Sequence, residues 1–233
     1  MTGRLYGIGI GPGDPELITL KALRLIRAAS VLAYPALEDG DSLARAIVAP
    51  HLPGGQREIV IRVPMLPDPA PAASAYDRAA AEIGAELDSG RDVAVLCQGD
   101  PFFYGSFMYL FGRLARRFRV EVVPGVSSLT AAAAASGKPL AARNDVLSVI
   151  PAPLAESELE RRIKDSEAAV IIKIGRHVDK LRRVLDRLGR LAEARYVEHA
   201  TMTSERILPL AEQTGTAPYF SIVLLHARGE AWR

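Results

Sequence analysis

Short apolar runs and amphipathic stretches alternate along the chain. Leu5–Ile10 is apolar and ends in glycines, the pattern of a buried strand. Thr19–Ala29 sets Leu20, Leu23 and Ile26 at helical spacing opposite Lys21, Arg24 and Arg27, which predicts an amphipathic helix. Strands are expected at 30–35 and 58–63, with a short helix at 41–48 between them. A helix at 75–88 closed by Gly90, a strand at 92–97, a helix at 106–117 and a strand at 120–123 follow. After Pro124-Gly125 comes an alanine-rich helix at 127–135, apolar on nearly every side and therefore expected to be buried. A charged helix at 156–165 falls between strand candidates at 145–150 and 168–174. His177–Leu191 reads as amphipathic, and later strands are expected at 196–199 and 219–225. The proline-rich stretch MLPDPAPAAS, 65–74, is expected to be a mobile loop or lid.

Strands alternating with helices predict an α/β protein, with largely parallel pairing in its first half. Pro124-Gly125 looks like a hinge, so two domains are expected, at 1–119 and 120–233.

Composition narrows the classes. Of 233 residues, 49% are hydrophobic and 24% charged, as in a soluble globular chain. A formal net charge of +2 is too slight to argue for nucleic acid or a membrane surface as partner. The lone Cys97 leaves no internal disulfide and fits a reducing cytoplasm; it is expected to pack within its strand. The N-terminus lacks an apolar signal segment, and no apolar run approaches the roughly 20 residues of a spanning helix. The four histidines, His51, His177, His199 and His226, show no ligand spacing, so no metal is expected.

Candidate chemistry lies in three loops. The first is GIGIGPGDPELIT, residues 7–19. A dinucleotide fingerprint needs glycines at positions one, three and six, and the sixth position falls on Pro12, Asp14 or Glu16 in the available registers. No Gly-Lys-Ser/Thr follows, so a P-loop fails too. Asp14 and Glu16 suit the positive start of a helix and would repel a phosphate there. The loop is either a tight strand-to-helix turn or a close backbone approach to something other than a pyrophosphate.

The second loop, CQGDPFFYGSF at 97–107, lies at the carboxyl end of a predicted strand, where open α/β sheets bind ligands. Asp100 could accept hydrogen bonds from an amine or hydroxyl, or take a proton; Asp-Pro equally starts a turn. Phe102, Phe103, Tyr104 and Phe107 form an aromatic cluster that suits either core or ligand. In the third, PGVSSLT at 124–130, Ser127 and Ser128 could cap the next helix or receive a carboxylate.

The stretches GIGPGDPELITLKALRLIRAASVLAYP, GDPFFYGSFMYL and VVPGVSSLTAAAAASGKPLAARNDVLSVIPA, with the later IIKIGRH and VEHAT, resemble the tetrapyrrole methylase family in order along the chain. The resemblance implies two α/β domains with S-adenosylmethionine in the cleft between them. It implies that Pro12 borders that cleft and that Gly99, Asp100 and Phe103 hold the methionine and ribose portions. Ser127 and Ser128 would receive the methionine carboxylate or its neighbours. Ile174 and Ala200 would line the adenine pocket by backbone and apolar contact. Within the family the pattern points to C-methylation of an early corrin precursor, metal-free or cobalt-bearing, by a cytoplasmic homodimer. Relatives that methylate uroporphyrinogen carry an acid after a tyrosine at the end of the second strand. Here Pro35 follows Tyr34, so that proton acceptor does not carry over.

A polycarboxylated tetrapyrrole needs cations, and Lys138, Arg143, Lys173 and Arg176 lie beside the motif loops. Arg143 is the expected substrate contact, with Tyr104 as a second. Asp100 is the candidate catalytic residue, as cofactor ligand or as base. A diphthine or ribosomal RNA methylase and a non-enzymatic cofactor-binding protein remain rival readings; the small basic excess argues against RNA.

Overall fold

A computed structural model of the chain describes residues 2–38, 40–64 and 70–226. Seven α-helices and two five-stranded sheets are present among them. The chain divides into two compact units, up to Ser127 and from Ser128 onward.

The first unit contains β1 (Leu5–Gly9), α1 (Leu20–Ala28), β2 (Val31–Ala36), α2 (Leu43–Val48), β3 (Arg57–Arg62), α3 (Ala70–Asp88), β4 (Val93–Cys97), α4 (Phe107–Leu114) and β5 (Val120–Val123). Its sheet has the order β3-β2-β4-β1-β5 and every pairing in it is parallel. Alternate strand residues go to opposite faces, as period-2 geometry requires. Leu5, Val31, Ala33, Val93 and Val95 pack with α3 and α4. Tyr6, Ile8, Leu32, Tyr34, Ala94 and Leu96 pack with α1 and α2. Both faces are covered, which is why these strands read as continuous apolar runs.

Four expectations need correction here. The inward stripe of α1 is Ala22, Leu25 and Ile26, continued by Ala29, at i, i+3, i+4, i+7; Leu20 lies off it and is 87% exposed. Of the expected loop at 65–74, residues 65–69 lie outside the described residues, and 70–74 form the first turns of α3. Pro71 sits near that helix start, where its missing N–H has no intrahelical partner to lose. The expected boundary at 119/120 moves to 127/128, because β5 pairs in parallel with β1. The alanine-rich helix is buried on one side only, with Ala134 and Ala135 exposed.

That helix, α5 (Ser128–Ser136), opens the second unit. It is followed by β6 (Leu147–Pro151), α6 (Glu156–Lys164), β7 (Ala168–Ile172), α7 (Val178–Arg187), β8 (Arg195–Glu198), β9 (Arg206–Pro209) and β10 (Ser221–His226). The sheet order is β6-β7-β10-β8-β9, with β6 parallel to β7 and the other pairings antiparallel. One face packs on α6 and α7 through Ile150, Ile171, Tyr196 and Val223. The other packs on Leu129, Ala132 and Ala133 of α5. Strand β9 was not expected from the sequence: it is a four-residue edge strand with a weak pattern, recruited by its antiparallel partner β8.

Candidate functional site

In the first unit the loops after β1, β4 and β5 meet backbone to backbone. The Ile10 N–H donates to Cys97 O (3.0 Å) and the Gly99 N–H to Gly11 O (2.8 Å). Gly11 (φ 79°) and Gly99 (φ 66°) are left-handed, a conformation that glycine takes without a Cβ clash. A Cβ on Gly9 would lie 2.5 Å from Gly125 N and 2.7 Å from Gly99 O. A Cβ on Gly125 would lie 2.1 Å from Gly99 O. Gly9, Gly99 and Gly125 therefore interlock. A Cβ on Gly99 itself would meet no atom within 4 Å, so the space on that side of its backbone is open.

Asp100 fastens this junction. Its Oδ1 accepts from Phe102 N (2.9 Å) and its Oδ2 from Gly125 N (3.1 Å), tying the loop after β4 to the loop after β5. Hydrogen bonds to an ionised acceptor are the stronger kind. Asp14 does similar local work: it accepts from Glu16 N (2.8 Å) and caps the 3-10 turn Pro15–Leu17. Pro12 is buried. The aromatic cluster divides: Phe107 is core, and Phe102 packs edge-on to Phe111. Phe103 and Tyr104 are exposed and meet edge to face, with Tyr104 at φ 55°. Burial pushes the Cys97 thiol up, which suits a packed residue and not a nucleophile.

In the second unit Ser128 starts α5, with Ser127 directly before it. After β7, Lys173 (φ 57°) and Gly175 (φ 42°) flank Ile174, whose side chain is fully buried in the core facing α6 and α7. Only the backbone of Ile174 is left for a ligand; its carbonyl already accepts from His177 N (2.7 Å). After β8, His199 (φ 49°) and Thr201 (φ 69°) flank the half-buried Ala200. Arg143 (φ 52°) is exposed on the connection from α5 to β6. Side-chain-bearing residues in this region each cost on the order of 1–3 kcal/mol and collect at functional sites. Lys173 and Arg176 are also exposed, and Lys138 is half-buried.

The sequence reading missed one polar cluster in the first unit. The Tyr34 hydroxyl donates to Glu58, which also accepts from Arg45 Nε (3.0 Å to each oxygen). Burial and then Glu58 push the Tyr34 hydroxyl up to about 12, while the Arg45 hydrogen bond holds the Glu58 carboxyl below its usual range. Parallel pairing of β2 with β3 brings the two together across 24 residues of sequence, and no local motif announces it. Among the described residues no group of three or more His, Cys, Asp or Glu could hold a metal ion. Among them, too, no helix is long and apolar enough to cross a membrane.

Glycine-built strand ends on a doubly wound sheet, followed by a mixed-sheet unit, define a class. The chain belongs to the tetrapyrrole (corrin/porphyrin) methylases, whose family profile matches residues 4–214. It is 44% identical over 232 residues to a precorrin-2 C(20)-methyltransferase from Sinorhizobium sp, covering 96% of this chain and 95% of that one. It is 45% identical over 232 residues to the cobalamin biosynthesis protein CobIJ of Mycobacterium tuberculosis, covering 96% of this chain. The chain spans about half (46%) of that relative's length. The cobalt-precorrin-2 C(20)-methyltransferase of Salmonella typhimurium is 32% identical over 235 residues, covering 99% of each chain. Among solved structures, the uroporphyrin-III C-methyltransferase from Thermus thermophilus in complex with S-adenosylhomocysteine superposes with a TM-score of 0.69. It is 28% identical and covers 96% of this chain and 92% of that one.

Proposed function

We propose that the chain transfers a methyl group from S-adenosylmethionine to C20 of precorrin-2, giving precorrin-3A in cobalamin biosynthesis. Family membership and 44% identity over nearly the whole length of the Sinorhizobium enzyme support the reaction. The lower identity, 32%, to the cobalt-precorrin-2 enzyme makes the metal-free substrate the first choice.

The observation that carries the reading is the interlocked junction of Gly9, Gly99 and Gly125 with Asp100 across it. It leaves open space beside the left-handed Gly99 at the carboxyl end of a parallel strand, where doubly wound sheets bind ligands. S-adenosylmethionine, when bound, supplies an electrophilic methyl group on a sulfonium, which is transferred by in-line displacement. For such a step most of the protein's contribution is positioning. Pro12, Gly99, Asp100 and Phe103 are the proposed cofactor contacts of the first unit. Asp100 already accepts two backbone N–H bonds, so we assign it to holding the loops and the cofactor and not to removing the C20 proton. Ser127 and Ser128 are proposed to receive the carboxylate. Ile174, through its backbone, and Ala200 are proposed beside the adenine, on the family resemblance. Arg143 and Tyr104, both exposed and left-handed, are the proposed substrate contacts. On the same resemblance we infer a cytoplasmic homodimer.

Incubation with S-adenosylmethionine and precorrin-2, followed by mass spectrometry, is expected to show one added methyl group. A parallel incubation with cobalt-precorrin-2 separates the two substrates. Calorimetry is expected to show binding of S-adenosylhomocysteine; binding of NAD or ATP in its place would remove the reading. Cofactor binding with no methyl transfer to either tetrapyrrole would leave a binding protein.

A further inference from the structure

The connection from α5 to β6 carries a turn that is fastened more firmly than an exposed loop requires. Across Ala142–Asp145 the turn closes twice. The Asp145 N–H donates to Ala142 O (3.0 Å), and the Ala142 N–H donates to Asp145 Oδ2 (2.8 Å). Arg143 is the second residue of this turn, with φ 52°. There its Cβ crowds the backbone, a conformation that glycine or asparagine takes far more readily. Its neighbour in the turn is Asn144, yet the left-handed position belongs to the arginine.

The anchor lies beneath. The Asp145 side chain is 0% exposed, and its Oδ2 also meets His226 Nε2 at 3.0 Å; the His226 side chain is 7% exposed. A carboxylate only accepts, so Nε2 carries the proton and donates in either charge state of the ring. His226 ends β10, in register with Ala168 of β7. The Ala168 N–H in turn donates to Val146 O (3.3 Å), one residue past Asp145. The base of the turn is thereby tied to β7 and β10. A buried carboxylate persists only where partners hold it, so this pair locks the turn and does not merely decorate it.

The geometry points to Asp145 and His226 as positioning residues. They hold Arg143 left-handed so that its guanidinium fork is presented, preorganised, to a carboxylate of an acidic substrate. Arginine suits this because its planar fork pairs with a carboxylate through two hydrogen bonds. The inference rests on the proposed polycarboxylated tetrapyrrole substrate.

The test uses the full chain with Arg143→Ala, Asp145→Asn and His226→Gln, and the Arg143→Ala/Asp145→Asn double variant. Each single change is expected to raise the KM for precorrin-2 about tenfold, one lost charged contact, with kcat and S-adenosylhomocysteine affinity close to wild type. The double variant is expected to match Arg143→Ala, because residues acting on one contact are not additive. An unchanged KM in Asp145→Asn or His226→Gln, or effects that simply multiply in the double variant, overturns the proposal. An unchanged KM in Arg143→Ala also overturns it. Should the Asp145 and His226 variants not fold, Arg143→Gly tests the contact on which their positioning role depends. It relieves the backbone and removes the fork, so a melting temperature at or above wild type with a raised KM is expected, and an unchanged KM overturns the idea. Wild-type turnover reports separately on the functional reading. If it is absent, the pair is read from quenching of uroporphyrin fluorescence, which needs binding and no chemistry, with the same expected order among variants.

Discussion

The strand ends of the two units are turned by different means. In the first unit the left-handed positions after β1 and β4 are Gly11 and Gly99, and Gly9 and Gly125 pack against neighbouring backbone. In the second, Lys173 after β7, and His199 and Thr201 after β8, take the left-handed conformation with full side chains, as does Arg143 before β6. Tyr104 is the one such non-glycine residue among the described residues of the first unit. Glycine lets backbones touch, as Gly9, Gly99 and Gly125 do. A lysine, histidine or arginine in the same conformation costs energy and gives a directed side chain. At these strand ends the first unit relies mainly on backbone contact and the second mainly on residues with side chains, with Tyr104 in the first and Gly175 in the second as the exceptions.

The sharpest way to break this contrast is Gly125→Ala. Its Cβ would sit 2.1 Å from the backbone oxygen of Gly99 and 2.7 Å from Gly9 Cα, so the first unit is expected to lose more than about 3 kcal/mol. Loss of a cooperative melt or of soluble protein would show it. Gly99→Ala meets no atom and is expected to cost only the left-handed penalty, about 1–2 kcal/mol. Equal effects at the two positions would sink the interlock.

Asp100→Asn comes next. One of its two N–H partners would then face an amide NH2, so stability is expected to fall by about 1–3 kcal/mol. Affinity for S-adenosylhomocysteine should weaken about tenfold while the saturated rate survives. A rate loss of about 10²-fold at unchanged affinity would instead make Asp100 a base.

Lys173→Gly and His199→Gly sharpen the other side of the contrast. Removing the Cβ relieves about 1–2 kcal/mol, and the added freedom of the unfolded chain returns about 0.5–1 kcal/mol. A melting temperature a few degrees higher is expected. A lower one would mean that these side chains hold the loops and are not held by them.

The smallest effect is in the pH dependence of the first unit. Glu58 titrates below its usual range when folded, so its contribution is present above the unfolded value of about 4.3 and is lost as pH falls through the folded one. Tyr34 is shifted the other way: its contribution is complete below about 10 and is lost as pH rises towards about 12. Glu58→Gln should flatten the acid limb of the unfolding free energy from urea titrations by some tenths of a kcal/mol, up to about 1, as for a partly exposed pair. An acid limb identical to wild type would remove Glu58 from the account.

Much of this was legible in the chain. Local periodicity placed most of the helices and strands, because a strand buried on both faces and a helix buried on one have different repeats. The glycine loops were legible because a glycine run that completes no phosphate motif still marks a turn or a close approach. Arg143, Ser127 and Asp100 were legible as candidates by their place beside those loops. Their geometry was not: the Asp100 Oδ1 bond to Phe102 N is local, but its Oδ2 bond to Gly125 N depends on where β5 lies relative to β4. Only tertiary structure could put Val120–Val123 beside β1 and so move the boundary to 127/128. Only it could join Tyr34 to Glu58 across 24 residues and Asp145 to His226 across 81. Side-chain periodicity records which face of an element is buried, while strand order, register and backbone conformation are settled by packing among segments far apart in sequence. The left-handed arginine and lysine belong to that second kind, since nothing in their own identity asks for a positive φ.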